Sequence, residues 1–194
     1  MTRDEAEVAA LAARWVVEEG QDFGSAKRRA AKVLGVRGSL PDNEAIEDAV
    51  REHLATFCAD SQPLELRALR GLALRWMQQL QEFRPHVVGA VWRGTANRLS
   101  DVQLQLFCDD PKAAELALID RRIAYEPREL AGFTGQPVPV LSVHSWCADL
   151  QEEVGVHLMI YDLDDWRRAR RRDGRGEPLR GSAQELAQRL ESMP

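Results

Sequence analysis

The run Gly89-Ala90-Val91-Trp92-Arg93-Gly94-Thr95-Ala96-Asn97-Arg98-Leu99-Ser100-Asp101-Val102-Gln103-Leu104 decides how this chain is read. His86 to Trp92 is a short apolar stretch rich in β-formers, broken at Gly94-Thr95. A single helical turn is expected next, then a second strand, because Asp101 to Phe107 alternates polar and apolar residues strictly. That alternation groups Asp101, Gln103 and Gln105 on one face and Val102, Leu104 and Leu106 on the other. Gly94 lets the backbone come close to a ligand, and Thr95 and Asn97 offer short donors beside free backbone N–H groups. Arg93 adds a fork-shaped phosphate donor. A phosphate-accepting turn beside a strand-borne acid able to hold Mg²⁺ is what phosphoryl or nucleotidyl transfer requires.

Upstream of this run the chain reads as helix. Thr2 and Glu5 have capping-box spacing, and Val8, Leu11 and Trp15 recur at helical intervals up to Gly20. Asp22 is a candidate cap for a second helix carrying Phe23, Ala30, Val33 and Leu34, ending at Gly35. Asp42 or Asn43 opens a third, with Ile46, Val50, Leu54 and Phe57 as its apolar stripe. Ser61 and Pro63 open a longer fourth, with Leu66, Leu69, Leu72, Trp76, Leu80 and Phe83. Downstream, Asp110-Pro111 reads as N-cap and first turn of a helix. Strands are expected at Arg122–Tyr125, at Val138–Trp146 with Pro139 marking an edge, and at Val154–Tyr161, interrupted by His157. Two helical pieces, near Asp164–Arg172 and Ser182–Leu190, follow. The fold class is therefore α+β: a helical N-terminal region, 1–84, and a mixed sheet with flanking helices, 85–194, the alternative being that the long fourth helix packs on the sheet as part of a single compact unit.

Composition bounds the function classes. The 194 residues carry 44 % hydrophobic and 29 % charged side chains, ordinary for a globular chain and far from disorder. No apolar run reaches the roughly 20 residues of a membrane helix, so no membrane partner is expected. The acids in Met1-Thr2-Arg3-Asp4-Glu5 do not suit a secretory leader. Cys58, Cys108 and Cys147 share no CxxC spacing and are odd in number, which points to reduced thiols and a cytoplasmic protein. The net charge of −5 argues against wholesale nucleic-acid coating. One dense basic block, Arg167, Arg168, Arg170, Arg171 and Arg172, is the candidate for local nucleic-acid contact, against a solvated segment countering Asp162, Asp164 and Asp165. There is no GxxxxGK[ST], no GxSxG and no GxGxxG after a strand. His144 and His157 lie on expected strands and with Asp101 form a candidate His/His/Asp metal set, the alternative being ordinary hydrogen-bonded strand histidines.

Residues 89–104 resemble the signature of the minimal nucleotidyltransferases of the DNA polymerase β-like superfamily. In that signature Gly-Ser and Arg-Gly-x-Ala precede Ser-Asp-hydrophobic-Asp-hydrophobic, and a third Asp follows on a later strand. Gly89, Arg93, Gly94, Thr95, Ala96, Ser100, Asp101, Val102 and Leu104 stand in register with it. The resemblance implies nucleotide or phosphate binding at Gly89, Ala90, Arg93, Gly94, Thr95 and Ser100, with an NTP as ligand. It also implies two Mg²⁺ or Mn²⁺ ions held by three carboxylates, which would here fall at Asp101, Gln103 and His157. Ala90 replaces the serine, Gln103 the second Asp, and His157 the third. Asp101 remains as the one carboxylate for a metal. Exchanging two anionic ligands for an amide and an imidazole weakens a cage that must hold two mutually repelling dications. The expectation is a nucleotidyltransferase-like protein that binds a nucleotide or phosphorylated ligand with weak or no transferase chemistry. An active enzyme with atypical ligands, and an interaction protein with a vestigial cleft, are the alternatives.

Overall fold

The computed structural model describes residues 2–133, 135–169 and 172–193, which form two compact units. The first comprises residues 1–64 with 97–99, and the second residues 65–96 and 100–194. No helix among the described residues is long and apolar enough to cross a membrane.

In the first unit, α1 (Arg3–Glu19) starts on the expected capping box of Thr2 and Glu5 and stops at Gly20. Asp22 caps α2 (Phe23–Leu34), and Asp42 caps α3 (Asn43–Phe57). Val8, Ala12, Ala26, Ala30, Ile46 and Val50 are fully buried between the three helices, the alanines allowing close approach. Val33, Leu34 and Phe57, expected on the buried stripes, are exposed instead. Each sits in the last turn of its helix. Asn97 belongs to this unit, its side-chain amide donating to the Val17 carbonyl at 2.8 Å.

The second unit is a six-stranded sheet in the order β3-β4-β5-β2-β1-β6. Its strands are β1 (His86–Val88), β2 (Val102–Cys108), β3 (Glu126–Ala131), β4 (Pro137–Cys147), β5 (Glu152–Asp162) and β6 (Arg180–Gly181). Only β2 and β5 run parallel. One face is covered by α4 (Gln62–Gln79), α5 (Gly89–Arg93), α6 (Pro111–Asp120) and α8 (Ala183–Glu191). Leu69, Leu72 and Met77 of α4 meet Leu104, Leu106, Val156 and Leu158 in one core. The apolar stripe of α4 thus belongs with the sheet, and the compact units divide between Leu64 and Glu65.

Three elements depart from expectation. The strand at 86–92 ends at Val88, and the helical turn lies before Gly94 rather than after it. Gly89 turns the chain with φ +66°, after which Val91 and Trp92 bury themselves from α5. No strand forms at 122–125; β3 begins at Glu126 and is exposed along its whole length, so no hydrophobic pattern announces it. The helix expected at 164–172 shrinks to α7 (Asp165–Arg168), while Arg172 forms a bridge with Pro178. Pro139 is tolerated because residues 137–139 pair with β3 alone, the β5 partners starting at Val140.

Candidate functional site

Strand register sets out the site. Val88, Gln103, His157 and Ser142 are successive partners across β1, β2, β5 and β4, so they form one row on the face opposite the helix-covered core. Asp101 stands immediately before β2, on the side of that row nearer Gly155. His157 lies between two partners: its Nε2 is 3.0 Å from Asp101 Oδ2, and its Nδ1 is 2.9 Å from Ser142 Oγ. The second carboxylate oxygen of Asp101 accepts from the Gly155 N–H at 3.2 Å. A Cβ at position 155 would stand 2.6 Å from that oxygen, so a side chain there would push the carboxylate out of this position. The hydrogen bond from His157, helped by that from Gly155, holds the Asp101 carboxyl below its ordinary value in spite of partial burial. His144 lies two residues beyond Ser142, on the same face, exposed, and its charge acts on Asp101 in the same direction.

Gln103 completes the row. Its Oε1 lies 3.1 Å from where a Cβ of Gly89 would be, so the turn out of β1 passes directly over this amide. The three expected site positions Asp101, Gln103 and His157 are therefore neighbours in space.

The expected phosphate donors are engaged elsewhere. Arg93 forms an ion pair with Asp173, Nη2 to Oδ2 at 2.7 Å. The N–H groups of Gly94 and Thr95 both donate to the Ala90 carbonyl, at 2.9 and 3.0 Å, closing the end of α5. They are thus not free, as the sequence suggested, because the turn is a helix C-terminus rather than a loop leading into a helix. Asn97 is tied to Val17 and Leu99. Ser100 is half-buried just ahead of Asp101.

The donor set does not fit a two-ion site. Both oxygens of Asp101 already accept hydrogen bonds, Gln103 is neutral, and among the described residues no three His, Cys, Asp or Glu side chains gather to hold a metal. The candidate His144/His157/Asp101 metal set is thus not assembled. In the arginine block, Arg168 lies 3.7 Å from Asp165 and Arg172 bonds the Gly176 carbonyl, while Arg170 and Arg171 lie outside the described residues.

Two features escaped the sequence reading. Ser142 is one, since a lone serine in an apolar strand carries no motif. The other is a cleft of about 460 Å³ beside it, lined by Ile123, Tyr125, Glu126, Ser142, His144 and Glu153. Gly155 was the available signal: a glycine inside a strand marks close approach of another group. Compared with family models, curated proteins and solved structures, the chain matches none.

Proposed function

We propose that the sheet unit is a nucleotidyltransferase-like domain whose metal cage has been exchanged for the Asp101–His157 hydrogen bond. In this reading it binds a nucleotide or other phosphate-bearing ligand in a reducing, cytoplasmic setting and does not carry out two-metal transfer. The observation that supports it most is the register: Gln103 and His157 are direct partners on parallel β2 and β5, and Asp101 touches His157. Positions that the resemblance assigns to three carboxylates thus converge, with one carboxylate among them. The three free thiols, Cys58, Cys108 and Cys147, suit the reducing compartment. Nucleic-acid contact through Arg167, Arg168 and Arg172 gains no separate argument from their neighbours.

Restoring the missing acids tests the reading. The double variant Gln103→Asp with His157→Asp should acquire a rise in melting temperature on adding Mn²⁺ that the wild type lacks. An unresponsive double variant means that the positions do not form a cage, and the resemblance then fails. Mn²⁺-dependent label transfer from an NTP by the wild type, lost in Asp101→Asn, would replace the reading with that of an active enzyme. A second reading, an interaction protein with a vestigial cleft, is favoured by the engagement of Arg93 with Asp173 and of the Gly94 and Thr95 amides with Ala90. Thermal shift with millimolar NTP separates the two, since only the first expects metal-free stabilisation.

A further inference from the structure

We infer that Ser142 is a nucleophile, activated by His157 and oriented through Asp101, for acyl transfer from a neutral or cationic ester entering the cleft beside it. Because the Asp101 carboxylate can only accept, neutral His157 carries its proton on Nε2, and Nδ1 presents a lone pair to the Ser142 hydroxyl. Nucleophile to base at 2.9 Å and base to carboxylate at 3.0 Å lie within the range of an activated serine. The three groups come from β4, β5 and the start of β2, so the paired strands hold the geometry. Gly155 fixes the far end by donating to Asp101 and leaving it space.

Access is confined to one side. Ser142 is only 5 % exposed, yet it forms part of the wall of the cleft of about 460 Å³. Ile123 and Tyr125 give that wall apolar surface, and the Tyr125 hydroxyl is fixed by Glu115 at 2.5 Å. Glu126 and Glu153 make it acidic, which disfavours phosphates and carboxylates and favours neutral or cationic substrates. His144 stands in the same wall, on the face of β4 that carries Ser142.

The chemistry balances without a metal or a redox partner. Ser142 Oγ attacks the ester carbonyl carbon while its proton passes to His157 Nδ1. The ester C–O bond breaks, and the departing alcohol takes that proton. Water, deprotonated by the same nitrogen, then releases the acid and restores the serine. Asp101 touches no reacting atom and acts as a positioning residue. None of this requires a phosphate ligand, so the inference and the proposed function stand or fall separately.

A fluorophosphonate probe, which captures activated serines, tests it on the full chain by intact mass and peptide mapping. The expected result is one adduct on Ser142, absent in Ser142→Ala and at least about tenfold slower in His157→Gln. Asp101→Asn should slow labelling at least about tenfold and Asp101→Glu should recover part of that rate; equal rates in wild type and Asp101→Asn remove the positioning role of Asp101. No adduct on Ser142, or an equal rate in His157→Gln, overturns the proposal. Should His157→Gln not fold, Ser142→Cys provides a second route. Its new thiol should react with iodoacetamide at neutral pH at least about tenfold faster than the half-buried Cys58, and an equal or slower rate overturns the proposal.

Discussion

The two faces of one sheet follow different rules. On the helix-covered face, Leu104, Leu106, Val143, Val156 and Leu158 alternate out of the same strands that carry Gln103, Ser142 and His157 on the other. Each buried leucine contributes about 1.5–3 kcal/mol through its area, whereas a net hydrogen bond contributes about 0.5–1.5 kcal/mol. Stability therefore comes from the first face. The second face is itself divided. Toward the ends of β2 and β5, Phe107 packs against Tyr161 and against Trp166 of α7, with Arg180 4.5 Å above the Trp166 ring. At the other end the polar row stays half-open, with the side chain of Asp101 52 % exposed and that of His157 23 %. A fold that needed only a core would not require a serine, a histidine and a carboxylate aligned there, so the contrast directs attention to function.

Substitutions can break or sharpen this contrast, and the largest effect is expected on the covered face. Leu158→Ala should cost about 2–5 kcal/mol in urea unfolding, because it opens a cavity where no side chain can collapse. A loss under about 1 kcal/mol would mean that the covered face is not the stabilising one. Gly155→Ala comes next, at about 1 kcal/mol, since the new methyl must push aside the half-exposed Asp101 carboxylate and break its hydrogen bonds. It reaches across to the polar row and should also break the Asp101–His157 bond, visible as displaced His157 ring signals in NMR spectra at fixed pH. Unchanged stability and unmoved signals would show that the carboxylate is not confined as described.

The smallest effect is expected at Asp101 itself. Asp101→Asn should cost less than about 1 kcal/mol near neutrality, since exposure and solvent screening discount the interaction. Its signature is in the pH dependence. The native carboxyl titrates below its ordinary value of 3.8, so its contribution is present above that pH and lost as pH falls through the lower folded value. Wild type and variant should therefore converge in stability on acidification below about pH 4 and differ above it. Divergence toward low pH would reverse the sign and remove the assigned hydrogen bonds.

Legibility in the sequence tracked burial and capping. The helices capped by Thr2, Asp22, Asp42 and Asp110 were readable, because each cap is a local exchange between a side chain and a nearby N–H. Strand β2 was readable from alternation, and β5 from its apolar run. Strand β3 was not, because Glu126 to Ala131 are held by backbone pairing to β4 and carry no pattern of their own. The turn at Gly94 was misread for a related reason. Whether an N–H is free or bound to Ala90 depends on where α5 begins, and the φ of Gly89 decides that.

By itself the sequence determined an α+β chain, most of its helix caps, the inward face of β2, and which polar residues, Gln103 and Gln105, that strand carries on the other. These are local or one-dimensional properties: capping spans three residues, alternation has a period of two, and residue identity needs no fold. Only the tertiary structure decided that His157 lies between Asp101 and Ser142. Those residues stand 56 and 15 positions from it along the chain, and only strand pairing between β2, β5 and β4 brings them within hydrogen-bond distance.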